Sequence, residues 1–143
     1  MSAQQISVFL EIKRGRLAEV TRLLEAEGIN IRALALADTA DFGVLRLIVS
    51  DPAACLAALR RHDFVAQTTD VIAVEVEDKP GGLHRILEVL DRHDFNIEYM
   101  YAFVEKKADD AVVVFKIDRA EDAVNVLDQN GVSVLSEGVV KDL

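Results

Sequence analysis

Residues 78–101 read DKPGGLHRILEVLDRHDFNIEYMY, and the fold is decided here. A strand runs into the turn Pro80-Gly81-Gly82, a helix begins at once, and the chain leaves through Phe95-Asn96-Ile97 into another strand. The same pattern occurs once before. Gly15, Leu17, Val20, Leu24, Ile29, Asn30 and Ile31 precede Gly81, Leu83, Ile86, Leu90, Phe95, Asn96 and Ile97 by a constant 66 positions (81 − 15 = 66, 96 − 30 = 66). An offset kept over so many positions marks a tandem repeat of one unit.

Outward from this stretch, strands and helices alternate. Ile6, Val8, Leu10 and Ile12 alternate with Ser7, Phe9 and Glu11, which predicts a strand with one strongly apolar face. After a turn at residues 13–16, Leu17, Val20, Leu23 and Leu24 keep helical spacing, and Gly28 stands where a helix end needs a positive φ. Residues 31–37 read as a second strand, 39–43 as a turn and 44–49 as a buried strand. Asp51 as N-cap and Pro52 at the first helical position predict a helix with Leu56 and Leu59 inward, followed by a weak strand at 64–69. Residues 1–70 are therefore one βαββαβ unit, and 71–143 repeat it: strand 71–77, helix 83–92, strand 97–104, turn 105–110, strand 111–117. That turn is two residues longer, so the offset becomes 68 (117 − 49 = 68). Asp118 with Glu121 resembles a capping box for a helix with Ala123, Val124 and Leu127 inward, Asn130-Gly131 ends it, and 132–135 is a short strand. The tail 137–143 carries no assignment.

A βαββαβ unit is the ferredoxin-like arrangement, four antiparallel strands with both helices on one face. Two such units can join edge to edge or pack sheet on sheet, and the apolar second strands at 31–37 and 97–104 favour the first; the expected fold class is therefore α+β, two such units in tandem sharing an extended antiparallel sheet with helices on one face. Small units bury only about 60% of their unfolded surface, which favours sharing. With 51% hydrophobic residues, 2 Pro and 7 Gly, the chain has a core and little room for a disordered linker. A net charge of −9 speaks against nucleic acid, whose phosphates need Lys and Arg. One Cys allows no internal disulfide, and neither a CxxC nor a Cys/His set offers a metal site, so neither metal nor cofactor is expected. No apolar run approaches the ~20 residues of a membrane span and the N-terminus lacks a signal pattern, so a soluble cytoplasmic protein is expected.

Asp78-x-Pro80-Gly81-x-Leu83, a helix, and Asn96-Ile97 opening the next strand resemble the ACT domain, a small βαββαβ module that binds amino acids and regulates metabolic enzymes. Gly15, Leu17, Asn30 and Ile31 resemble a second, less regular copy. Residues 40–52 and 97–103 resemble stand-alone tandem ACT proteins of bacteria, with no catalytic domain attached. The resemblance covers essentially the whole chain. It implies a ligand wedged between the helix-start loop of one unit and the second-strand start of the other. One site would then use Asp78, Pro80, Gly81, Gly82 and Leu83 with Asn30 and Ile31. The other would use Gly15, Arg16 and Leu17 with Asn96, Ile97 and Tyr99. Arg14 replaces the proline and Ile12 replaces Asp78 in the first loop, so unequal sites are expected, with the Asp78 loop the stronger. Physics supports such a corner: amides at a helix start lack helical partners, the dipole is positive there, and glycine removes side chains that would block a carboxylate.

Other residues have plainer readings. Gly15, Gly81 and Gly82 also suit a tight turn, Asn30 and Asn96 a helix exit, and Tyr99 and Tyr101 a core or interface. His62 and His93, each in Arg-His-Asp-Phe, suit helix C-termini, His84 follows the ligand loop, Cys55 suits a core, and Asp109-Asp110 a solvated turn. No Gly-x-Ser-x-Gly, phosphate loop, His-Glu-x-x-His or Gly-x-Gly-x-x-Gly is present, so no enzyme is expected. The function expected is a non-catalytic amino-acid sensor, a homodimer or the partner of a metabolic enzyme. The alternative is a ligand-free interaction or dimerisation module, and a small ferredoxin-like isomerase ranks below both.

Overall fold

The apolar alternation at the start of the chain forms β1 (Ala3–Glu11), followed by α1 (Arg16–Ala26), β2 (Ile31–Thr39), β3 (Phe42–Val49), α2 (Pro52–Arg61) and β4 (Val65–Glu77). The second round is α3 (Gly82–Arg92), β5 (Ile97–Ala102), β6 (Asp110–Ile117), α4 (Ala120–Gln129), β7 (Val134–Leu135) and a last helix α5 (Glu137–Asp142). These elements come from a computed structural model that describes residues 2–39, 42–105 and 109–143. The expected turns at 39–43 and 105–110 thus lie partly outside the described residues. Two compact units result, Gln4–Thr69 and Asp70–Leu143, the latter also grouping the residues to Ala3.

Each unit has the ferredoxin-like strand order. It is β2-β3-β1-β4 in the N-terminal unit, with β3 antiparallel to β1 and β2. In the C-terminal unit it is β5-β6-β4-β7, with every pair antiparallel. Both helices of a unit pack on one face of its sheet. Ile6, Val8 and Leu10 of β1 and Leu45, Leu47 and Val49 of β3 share a core with Val20 and Leu24 of α1 and Cys55 and Leu59 of α2. Their counterparts at offsets 66 and 68 do the same: Ile72, Val74, Val76, Val113, Phe115 and Ile117 with Ile86, Leu90, Ala123 and Leu127. Each of the Val, Leu, Ile and Phe side chains among them contributes roughly 1.5–3 kcal/mol by leaving water, so the repeat is a repeat of the core.

The four long helices end alike. Gly28, Asp63, Asp94 and Gly131 adopt positive φ (69°, 63°, 61° and 75°), and the next residue donates back into the last turn. Ile29 N–H reaches Leu24 O at 2.9 Å, Phe64 N–H reaches Leu59 O at 3.0 Å, Phe95 N–H reaches Leu90 O at 3.1 Å and Val132 N–H reaches Leu127 O at 2.9 Å. This is the Schellman closure. The N-cap expected at Asp51 is present, its Oδ1 accepting from Ala54 N–H at 3.1 Å.

Several expectations are corrected. The strands expected at 64–69 and 71–77 are one, β4 (Val65–Glu77), and not two. Asp118 caps no helix: Arg119 holds the N-cap position of α4 at φ 47°, and Asp118 Oδ1 accepts from Asn96 N–H at 2.8 Å. Leu17 and Ile12 are exposed: Leu17 lies on the outer side of the first turn of α1, and β1 stops at Glu11. β1 buries polar residues on its other face as well, Gln5 donating from Nε2 to Ser7 Oγ at 3.0 Å. The tail is helical, with Ser136 Oγ accepting from Val139 N–H at 3.3 Å and Val140 buried.

Candidate functional site

The glycine corner is built twice by one hydrogen-bond path. In the C-terminal unit Lys79 N–H donates to Glu77 O at 2.9 Å, Gly82 N–H to Lys79 O at 3.0 Å and Arg85 N–H to Gly81 O at 3.0 Å. In the N-terminal unit Lys13 N–H donates to Glu11 O at 3.0 Å, Arg16 N–H to Lys13 O at 3.3 Å and Glu19 N–H to Gly15 O at 3.0 Å. Gly81 and Gly15 hold the N-cap positions at φ 86° and 89°, and neither helix start has a side-chain cap. The helices therefore leave the amides of Leu83 and His84, and of Leu17 and Ala18, without an acceptor in the first turn. A carboxylate is the chemical partner those amides and the positive dipole end suit.

The glycines differ in why they are glycine. A Cβ on Gly81 or Gly15 would meet nothing within 4 Å, so only the positive φ selects glycine there. Gly82 is buried, and a Cβ on it would run into the Glu77 carbonyl oxygen. At the matching position Arg16 lays its guanidinium 4.6 Å from the Phe64 ring centroid and pairs with Glu19 at 3.0 Å. Pro80 and Asp78 are exposed, and Leu83 is half-buried against the core. Glu77 pairs with Lys79 at 2.7 Å and Arg85 at 3.3 Å. The Lys79 hydrogen bond, then its charge, holds the Glu77 carboxyl below the usual carboxylate value.

The Asn-Ile corners are pinned through their backbones. Asn30 N–H donates to Ser50 Oγ at 3.0 Å while Asn30 O accepts from Ser50 N–H at 3.0 Å. Asn96 N–H donates to Asp118 Oδ1 at 2.8 Å and Asn96 O accepts from Asp118 N–H at 3.2 Å. Both asparagines are exposed at the surface, and Ile31 and Ile97 pack against their cores. Tyr99 is half-buried on β5 opposite Lys116. Within a unit the glycine corner and the Asn-Ile corner sit at opposite ends of an 11-residue helix, about 16 Å apart at ~1.5 Å per residue. One unit does not bring its own two corners together.

Cavities among the described residues escaped the sequence. One of about 330 Å³ beside the first corner is walled by Ile12, Leu17 and Leu36. A second, about 250 Å³, is lined by Glu75, Glu77, Arg85 and Asp110. A third, about 480 Å³, runs along α3 over Leu87, Phe95 and Ile97. Asp110 is not a turn residue but opens β6, and desolvation, then Glu75, raises its carboxyl. The remaining groups do structural work. His62 and His93 place Nδ1 at 3.0 Å from Ala58 O and 2.8 Å from Val89 O, and His84 faces Glu88 at 3.5 Å. Cys55 is fully buried. Among the described residues no three His, Cys, Asp or Glu gather as a metal site, and no helix is long and apolar enough to cross a membrane.

Comparison with known families finds a match to a family described as an ACT domain pair, over residues 1–143. Comparison with curated proteins finds no match. Among solved structures, protein BT0572 from Bacteroides thetaiotaomicron is 39% identical over 100% of this chain and 98% of its own, with a TM-score of 0.94. The ligand-free regulatory subunit of aspartate kinase from Thermus thermophilus superposes with a TM-score of 0.60 at 16% identity, over 88% of this chain and 90% of its own. Aspartokinase III of E. coli, in complex with lysine and aspartate, gives 0.52 at 18% identity, over 90% of this chain and 30% of its own.

Proposed function

The chain belongs to the ACT domain-pair family across residues 1–143, and from that premise we propose that it is a non-catalytic regulatory protein that binds an amino acid. One observation carries the reading: the glycine corner, with its uncapped helix start, is built in both units along the same hydrogen-bond path. The ligand's carboxylate takes the open amides. Such a contact is worth roughly 0.3–1 kcal/mol when exposed and ~2 when partly buried, so the corner needs help. In the proposal Asp78 and strand-end carbonyls accept from the ammonium, and an Asn-Ile corner of another unit forms the opposite wall. Asn30 and Ile31 serve the corner at 78–83, and Asn96, Ile97 and Tyr99 serve the one at Gly15. A ligand that bridges two units shifts how the protein docks with a second copy or a metabolic enzyme, provided it prefers one arrangement.

A thermal-shift screen of the common amino acids tests this. A ligand at ~100 times its Kd should add about 2.7 kcal/mol of stability, and Leu83→Asp should abolish that gain. No shift with any amino acid overturns the proposal. A ligand-free interaction module is the second reading, favoured by the exposed Leu34 and Met100 on the edge strands β2 and β5. A stoichiometric partner co-purifying with the amino-acid screen silent would decide for it.

A further inference from the structure

We infer that β2 is a self-recognition edge: two copies of this chain pair antiparallel along it, about a twofold axis through Ala35. The inference does not rest on the amino-acid reading, and it goes beyond it by assigning the strand, the partner and the register.

β2 ends the strand order of its sheet, with β3 its neighbour among the described strands. Its far edge therefore presents backbone N–H and C=O groups as a template for another strand. Edges are commonly blunted by charge, proline or brevity. β2 runs nine residues without proline, and Ala33 to Ala37 are apolar throughout. Leu34 and Leu36 lie opposite Leu47 and Leu45, on the face that carries the helices, yet they are 46% and 56% exposed. A second strand laid beside them takes that surface out of water.

The sequence of β2 says which strand fits, because it is palindromic in chemistry. Residues facing each other across an antiparallel pair have numbers of constant sum, and about Ala35 that sum is 70 (35 + 35 = 34 + 36 = 32 + 38 = 70). Leu34 then meets the second copy's Leu36, Ala33 meets its Ala37 and Arg32 meets its Asp38, and the axis repeats each contact. Leu34, Leu36 and Asp38 share one face, since their opposites Leu47, Leu45 and Gly43 alternate along β3, and the alternation continues to Arg32, where the register with β3 shifts. Opposite charges facing each other across strands stabilise the pair and like charges weaken it. Arg32 also interacts within its own chain, and the five donors of a guanidinium serve both. A slip of two residues would set Asp38 against Leu34, or Arg32 against Leu36, and a slip of one would set Leu34 against residues of the other face.

β5 is no substitute. It has six residues, and its one charge, Glu98, finds no basic residue on a second β5. Laid antiparallel on β2 with Glu98 facing Arg32, it overlaps only residues 31–33 with 97–99. Long-range charge agrees. Residues 4–69 hold 8 basic and 8 acidic side chains, a net of 8 − 8 = 0, while 70–143 hold 8 and 17, a net of 8 − 17 = −9. Two copies thus meet at the N-terminal unit without the repulsion that opposes contact through the other.

Sedimentation equilibrium of the full chain, with no ligand added, tests this. Wild type is expected to form a dimer that dissociates on dilution. Arg32→Asp and Asp38→Arg each set like charges opposite and should weaken self-association at least tenfold. An equimolar mixture of the two should restore the dimer, since each variant then faces the charges it lacks. The double variant, with both substitutions in one chain, should dimerise like wild type, and it decides the matter if either single variant fails to fold by circular dichroism. Met100→Lys on β5 should leave association unchanged. A wild type that stays monomeric, single variants that keep the dimer, a mixture or double variant that stays monomeric, or loss of the dimer in Met100→Lys overturns the inference. A silent amino-acid screen leaves it standing and a monomeric wild type leaves the amino-acid reading standing, so the two fail separately.

Discussion

Gly82 has no room for a side chain against the Glu77 carbonyl, whereas Gly81 has open space and only its φ of 86° to satisfy. Gly81→Ala should therefore cost about 1–2 kcal/mol, the strain of a left-handed Cβ. Gly82→Ala should reach the upper end of the ~1–3 kcal/mol of overpacking or beyond, since the obstacle is backbone. Urea midpoints at equal slope measure both, and equal losses would contradict the distinction. Cys55 gives a second test. Burial, then Asp51, pushes its thiol to about 12. A raised pKa in the folded state means that its contribution to stability is complete below the unfolded value near 9.0 and is lost as pH rises toward 12. Wild type should thus lose stability relative to Cys55→Ala between those limits, and its thiol should react with a disulfide reagent at pH 8 only as fast as the chain opens. The substitution itself should be mild, because Ala123 fills the matching place in the other core.

At the ends of β4 and β6, Glu77 and Asp110 stand directly opposite in the ladder, a like-charge pair that weakens the sheet. Asp110→Asn should raise stability at neutral pH. Asp110 has a raised carboxyl, so its destabilising charge disappears as pH falls through that value, and the advantage of the variant should fade toward pH 4 and with added salt. A constant advantage from pH 8 to pH 4 would refute the cause. The helices and strands themselves were legible because Leu, Val and Ile recur at the right spacing and the repeat shows each one twice. What escaped has identifiable reasons. Asp118 three residues before Glu121 looks like a cap, yet its carboxylate is taken by an amide 22 positions away, the same clasp that Ser50 makes with Asn30. The polar run Thr68-Thr69-Asp70 imitates a boundary although the strand continues through it. α5 has six residues and one buried side chain, too few for a period. The glycine corners were legible from Gly81 and Gly15, but the cavity between Ile12 and Leu36 depends on two strand ends meeting at Gly43.

Across the molecule, 25 acidic residues oppose 16 basic ones, and the whole excess falls in residues 70–143. Two effects of salt then compete. Screening relieves the repulsion among like charges and stabilises the fold, while it also weakens ion pairs. Among the described residues the Lys and Arg pairs of the C-terminal unit, Lys79–Glu77, Arg85–Glu77, Lys116–Glu98, Arg119–Asp118 and Lys141–Glu137, are all partly exposed, and such pairs are worth only ~0–1 kcal/mol each. A surplus of nine uncompensated charges should outweigh them. Raising sodium chloride from about 0.01 M, where the screening length is ~30 Å, to about 0.1 M, where it is ~10 Å, should therefore raise the melting temperature. Because residues 4–69 are charge-balanced, native-state hydrogen exchange should show the gain in protection concentrated on amides of the C-terminal core, such as those of Val114 and Phe115 in β6, with less at Leu47 and Ile48 in β3. A fall in melting temperature over that range would mean that the ion pairs dominate, and a gain spread evenly over both cores would mean that the acidic surplus is not its source.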